Sequence, residues 1–174
     1  MTDLTQPHLE YERRFLVADA TILDEIGADF QWIDQGYIWA KEGYAIRIRL
    51  IGQGDEFDTT SDEPGILTLK GPRHDATRFE LEQLVPANIA HDLLRLANFR
   101  VSKKRYSIID HQETWVIDEF TGHNEGLILA EFEASEAAVK AVHIPEWCGE
   151  EISGDHRYDN ENLARAPFRY WNTE

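Results

Sequence analysis

Apolar and polar residues alternate one for one along much of this chain, the period of a β-strand with one side buried. Over residues 9–17, Leu9, Tyr11, Phe15 and Val17 face one way, while Glu10, Glu12 and Arg14 face the other. Over residues 44–51, Arg47 and Arg49 oppose Ile46, Ile48 and Leu50. The pattern repeats at 66–70, where Thr68 and Lys70 oppose Leu67 and Leu69, and at 78–85, where Arg78, Glu80 and Glu82 oppose Phe79 and Leu81. It predicts further strands over 30–39, 99–109 (with Lys103 and Arg105 two apart), 114–121 and 127–134, where Glu131 and Glu133 oppose Ile128 and Phe132. A last short strand is expected at 150–153.

Four helices interrupt the strands. Asp19 suits the cap of a short helix through Ile26. Pro86 suits the start of a longer one through Ala97, with Ile89, Leu93, Leu94 and Leu96 as its apolar face. Ser135-Glu136 opens a third through Val142, and a fourth is expected over 160–166. The Gly-, Asp- and Thr-rich stretch 52–65, which holds Pro64, reads as a loop, and 71–75 as a turn. With no repeat and no linker, residues 1–174 are expected to form one domain of class α+β, dominated by antiparallel strands.

Composition then excludes several roles. The formal net charge is −16 with only 17 Lys and Arg, which argues against nucleic-acid binding. No apolar run approaches a membrane span, and residues 1–7 lack a basic segment followed by an apolar one. The single cysteine, Cys148, has no partner for an internal disulfide. A cytoplasmic protein without membrane partners is the expectation. The seven histidines show no ligand spacing, and Gly52-Gln53-Gly54 lacks the Lys-Ser/Thr pair of a phosphate loop.

The polar sides of the strands are unusual. A solvent-facing strand mixes in Thr, Ser and Gln, but here six strands carry almost only Glu, Arg and Lys, with both signs in comparable number. That composition suits a site holding metal cations and a polyanion together. Periodicity alone leaves open which side is inside.

In order along the chain stand Glu10-Tyr11-Glu12-Arg13-Arg14, Gln35-Gly36-Tyr37-Ile38, Arg47-Ile48-Arg49, Thr68-Leu69-Lys70-Gly71 and Arg78-Phe79-Glu80-Leu81-Glu82. Lys103-Lys104-Arg105-Tyr106, Trp115-Val116-Ile117-Asp118-Glu119-Phe120, Ala130-Glu131-Phe132-Glu133, Glu151-Ile152-Ser153 and Tyr158-Asp159-Asn160 follow. As an ordered set these resemble the CYTH superfamily, the triphosphate tunnel metalloenzymes. Arg14 departs from the family's signature Glu-x-Glu-x-Lys, keeping the charge but not readily giving up a proton, and Ser153 stands for the usual Thr.

The resemblance implies a closed antiparallel β-barrel, or tunnel, with a charged interior and helices packed outside. Arg14, Arg47, Arg49, Lys70, Arg78, Lys103 and Arg105 would bind triphosphate, Lys103 being the candidate catalytic proton donor. Glu10, Glu12, Glu80, Glu82, Asp118, Glu131, Glu133 and Glu151 would serve Mg²⁺ or Mn²⁺, which favour oxygen ligands. The implied activity is metal-dependent hydrolysis of inorganic tripolyphosphate to pyrophosphate and phosphate, by a monomer or homodimer. Alternatives are a class IV-type adenylate cyclase, a hydrolase of thiamine or nucleoside triphosphate, and a polyphosphate-binding module without turnover. A barrel carrying a hydrophobic ligand is disfavoured by the charged faces.

Overall fold

Every strand finds an antiparallel neighbour in a single nine-stranded sheet. The computed structural model describes residues 11–26, 29–53, 62–74 and 77–171. The strands are β1 (Tyr11–Val17), β2 (Gln31–Lys41), β3 (Tyr44–Gln53), β4 (Gly65–His74), β5 (Thr77–Val85), β6 (Phe99–Asp110), β7 (Glu113–Phe120), β8 (Ile128–Ala134) and β9 (Cys148–Glu151). The helices are α1 (Ile22–Ile26), α2 (Ala87–Leu96), α3 (Glu136–Ala141) and α4 (Asn160–Arg165). The spatial order is β5-β4-β3-β2-β6-β7-β8-β1-β9.

Two tight hairpins set the register. Glu42 and Gly43 turn β2 into β3 with φ of 54° and 83°, and His111 and Gln112 turn β6 into β7 with φ of 48° and 70°. Two consecutive left-handed residues are the turn geometry that matches strand twist. Two expected boundaries need correction. The turn expected over 71–75 is mostly strand, since β4 runs to His74 and β5 starts at Thr77, with a register shift between Lys70 and Arg73 that accommodates Pro72. The last strand begins at Cys148, two residues before its expected start. Leu9 and Glu10 lie outside the described residues, as do 54–61 of the expected loop.

The apolar side of the sheet packs in part against helices. Over β3, Ile48 and Leu50 meet Ala90 and Leu94 of α2. A Leu94→Ala change at this contact should cost about 2–5 kcal/mol. Helix α2 lies so close to β2 that a Cβ at Gly36 would stand 2.5 Å from Ala97 Cβ and 2.9 Å from Leu94 Cδ1. Under α1 and α3, Phe15, Trp115, Ile117, Phe132 and Val139 form a second core. The helical cover is partial: Leu69, Phe79 and Leu81, on β4 and β5, stay exposed.

A third core lies on the charged side of the sheet. Tyr37, Ala45, Val101, Phe120, Leu129 and Ile152 gather around Leu163 and Ala164 of α4. Contributors from β3 through the chain after β9 can share one helix only if the sheet curls around it. The charged side chains agree: Arg14, Arg47, Lys103 and Asp118 are each less than a tenth exposed, which a flat sheet face would not allow. The sheet therefore wraps its charged side inward. Its edges, β5 and β9, are not joined by a ladder among the described residues, so the closed barrel expected from the resemblance is, on hydrogen bonding, a strongly curled open sheet.

Candidate active site

Alternation along each strand becomes depth within this chamber. On β8, Leu129 is buried in the floor, Glu131 is partly buried above it, and Glu133 is exposed. On β1, Leu16 packs on the floor, Arg14 is buried and Glu12 is exposed. Strand β6 climbs from Val101 to Lys103 to Arg105 in the same way. The result is an apolar floor closed by α4, a layer of cations above it, and carboxylates toward the mouth.

The cations fall into two adjoining groups. On β3–β5, Arg47 Nη2 donates to Thr68 Oγ1 at 2.9 Å and to Glu82 at 3.0 Å, with Glu80 at 3.4 Å. Lys70 Nζ pairs with Glu80 at 2.9 Å. Arg49 Nε donates to Gln35 Oε1 at 3.2 Å, and Gln35 Nε2 donates to the Tyr37 hydroxyl at 2.8 Å. Burial and the charges of Arg47 and Arg105 bring the Arg49 pKa down to about 10, so the two groups feel each other across β2. Burial drives the Tyr37 phenol up to about 12.

On β6–β8, Asp118 is fully buried between two cations. It accepts from Lys103 Nζ at 2.5 Å and from Arg105 Nε and Nη2, both at 2.7 Å. Burial pushes its carboxyl up, yet Lys103 and Arg105 more than offset this and hold it below the ordinary range. Burial outweighs the attraction of Asp118 at Lys103 and leaves that ammonium easier to deprotonate than an ordinary lysine. Arg105 also reaches Glu131 at 3.3 Å. Burial and the nearby Asp118 charge raise the Glu131 carboxyl.

Of the expected site residues, Arg14, Arg47, Arg49, Lys70, Lys103, Arg105, Glu12, Glu80, Glu82, Asp118, Glu131 and Glu133 all belong to the charged side. Glu80, Glu82 and Asp118 are held by cations there. Glu151 is not with them. It is the ladder partner of Phe15, on the opposite side of β1, where it binds Arg13. Glu10 and the Arg78 side chain lie outside the described residues.

Two residues of the site were named in the sequence only as part of the closing motif. Asn160 Oδ1 accepts from Lys103 Nζ at 3.1 Å, and Asp159 Oδ1 pairs with Arg14 Nη2 at 2.9 Å. A polar pair opening a helix normally reads as a cap, so nothing local marked them as partners of buried cations. Tyr158 packs edge-on against Trp171 beside the floor.

No family model matches the chain. A curated inorganic triphosphatase of Acetivibrio thermocellus is 34% identical over 164 residues, covering 92% of this chain and 96% of that protein. Another, from Nitrosomonas europaea, is 37% identical over 160 residues, covering 89% and 96%. Among solved structures, that of an inorganic triphosphatase superposes with a TM-score of 0.65 at 31% identity, covering 89% of this chain and 93% of its own. A Bacillus halodurans protein classed with the adenylate cyclases shares the fold at 18% identity and a TM-score of 0.52, over 76% of this chain and 84% of that one.

Proposed function

The chain belongs to the inorganic triphosphatase family, and from that premise we propose that it hydrolyses tripolyphosphate to pyrophosphate and phosphate within the curled sheet, as a single catalytic unit using Mg²⁺ or Mn²⁺. The observation that carries the reading is a pair of orphaned donors. Arg14 Nε and Arg47 Nε are buried and without a hydrogen-bond partner. A buried donor left unmade is costly, and a polyanion reaching the cation layer would satisfy both.

The acidic groups suit a hard divalent cation. Glu12 and Glu133 stand directly opposite in the β1–β8 ladder, where like charges repel and a cation would relieve them. Carboxylate oxygens are the donors that Mg²⁺ and Mn²⁺ prefer. Among the described residues no three acidic or imidazole groups already converge at coordinating distance, so ligands from substrate or water would complete the shell. Glu12, Glu131 and Glu133 are the residues that would hold the ion, and its chemistry there is neutralisation of phosphate charge and polarisation toward attack.

The chain's own groups do the rest. Arg14, Arg47, Arg49 and Arg105 bind and orient the phosphates, and fixed cations of this kind supply most of the stabilisation in phosphoryl transfer. Lys103, softened by burial, gives its proton to the departing pyrophosphate oxygen while Asp118 and Asn160 hold it in place. The buried floor keeps bulk water from the far end.

The test is direct. Purified protein is offered tripolyphosphate, ATP and thiamine triphosphate with Mg²⁺ or Mn²⁺, and phosphate, pyrophosphate and cyclic AMP are measured. Tripolyphosphate turnover abolished by EDTA is the expected result. Tight binding without turnover under either metal would replace the enzyme by a binding module, and cyclic AMP outpacing phosphate would establish the cyclase reading.

A further inference from the structure

Asp159 occupies the N-cap of α4, where an aspartate ordinarily accepts a backbone N–H of its own helix. It makes no such bond. Its carboxylate is taken instead by two side chains, Arg14 Nη2 at 2.9 Å on Oδ1 and His156 Nδ1 at 3.0 Å on Oδ2. The first turn is closed by backbone instead, the Leu163 N–H donating to Asp159 O at 2.9 Å. A capping group has been diverted to a buried guanidinium.

The Arg14 backbone is held as well. Its N–H donates to Ser153 Oγ at 3.0 Å, and its carbonyl accepts from Ile152 N at 2.8 Å. Glu12 lies 3.6 Å from Nε, beyond hydrogen-bond reach, so among the described residues Asp159 is the nearer of the two carboxylates paired with the side chain. The neighbouring Asn160 meets Lys103. In a flat sheet β1 and β6 would stand about 14 Å apart, three strand spacings. Consecutive residues of one short segment therefore reach two cations from distant strands.

We infer that Asp159 is a positioning residue for Arg14: it grips one edge of the guanidinium and leaves the unpartnered Nε–H available to a phosphate oxygen. The inference rests on the function proposed above. It also gives a reason for arginine at a position where the resemblance leads one to expect lysine. A planar fork with five N–H groups can serve a carboxylate and a phosphate at once, whereas an ammonium is a single point of charge. Arg14 and Asp159 form one unit, and each loses its value without the other.

A four-protein cycle tests this, using Asp159→Asn, Arg14→Lys, the double variant and the wild type. Asparagine caps a helix as well as aspartate does, so Asp159→Asn removes the charge without a capping penalty. For coupled neighbours, kcat/KM for tripolyphosphate should fall about tenfold with Asp159→Asn in the Arg14 protein but about twofold or less in the Arg14→Lys protein. Asp159→Glu, which restores the carboxylate, should recover part of the loss. Equal losses in both backgrounds would mean a structural role only, an unchanged kcat/KM in Asp159→Asn would mean no role, and a raised one would mean that the carboxylate repels substrate; each overturns the inference. The rise in Tm caused by tripolyphosphate in EDTA is measured on the same four proteins. If the wild type turns nothing over, the proposed function falls, and non-additivity of that rise still decides for or against the pairing. With neither turnover nor a rise, both fall.

Discussion

Glu151 gives both carboxylate oxygens to Arg13, Oε1 to Nε at 3.0 Å and Oε2 to Nη2 at 2.6 Å. This pair ties β9 to β1 on the side away from the chamber, so Glu151 is better understood as a clasp between strands than as a metal ligand. Glu151→Gln should leave metal activation within about twofold of wild type and cost about 1 kcal/mol or less in stability, as exposed pairs do. The bond to Arg13 lowers the Glu151 carboxyl, so its contribution exists above the ordinary carboxylate range and is lost as pH falls through the lowered value. Metal titrations of the rate, beside urea melts at neutral and acid pH, check both statements. Loss of metal activation would return Glu151 to the ligand set.

Asp118 makes the opposite case. It is a candidate ligand by sequence and lies on the charged side, but both its oxygens already accept from Lys103 or Arg105. Asp118→Asn removes the counter-charge of a buried ammonium and should destabilise the fold by about 3–5 kcal/mol. Urea unfolding measures this. A variant that melts like wild type yet no longer responds to Mg²⁺ would show that Asp118 serves the metal after all.

For Lys103 the prediction is kinetic. Lys103→Ala should lower kcat by about a hundredfold or more, with a smaller change in KM, because its work is done in the transition state. Burial lowers the Lys103 pKa from 10.5, so the protonated form that donates is present at low pH and lost as pH rises through that lowered value. The wild-type rate should therefore decline below pH 10.5 on the alkaline side. Lys103→Arg, charged throughout, should be slow but flat over the same range. An unchanged alkaline limb in that variant would move the proton donor elsewhere.

Much of this was legible in the alternation of charged and apolar positions, which marked most of the strands and put Arg47 with Arg49 and Lys103 with Arg105. The inward side was not legible, because alternation is symmetric: the same pattern describes a charged face turned to water. Burial of Arg14 and Lys103 breaks the symmetry. Glu151 entered through the resemblance alone, and its side of the sheet follows from the register shift between Phe15 and Val17 in the β1–β9 ladder, which cannot be seen in a four-residue strand. Asp118 and Glu131 look alike in sequence; only their distances to Lys103 and Arg105 separate them.

The floor of Leu163, Tyr37 and Val101 bears on substrate choice. A chamber closed at one end admits a chain of phosphates from the mouth but leaves no exit there for a nucleoside. Tripolyphosphate should accordingly show a higher kcat/KM than ATP. Parallel steady-state kinetics on the two substrates measure it, and equal values would mean that the nucleoside is accommodated, outside the mouth or past the floor.

Gly36 sits between Gln35 and Tyr37 and carries no chemistry of its own, yet it sets where both of them stand. With α2 pressed against its bare Cα, the helix acts as a backstop for β2, fixing how far the strand can retreat from the phosphates. A methyl group there would act as a wedge, driving β2 inward against a helix that cannot yield without uncovering Leu94. The lesion would surface on the far side of the sheet, as a displaced Tyr37 hydroxyl and a slackened Gln35–Arg49 bond. Catalytic precision in this chain is thus partly stored on its dry exterior, in the absence of a side chain.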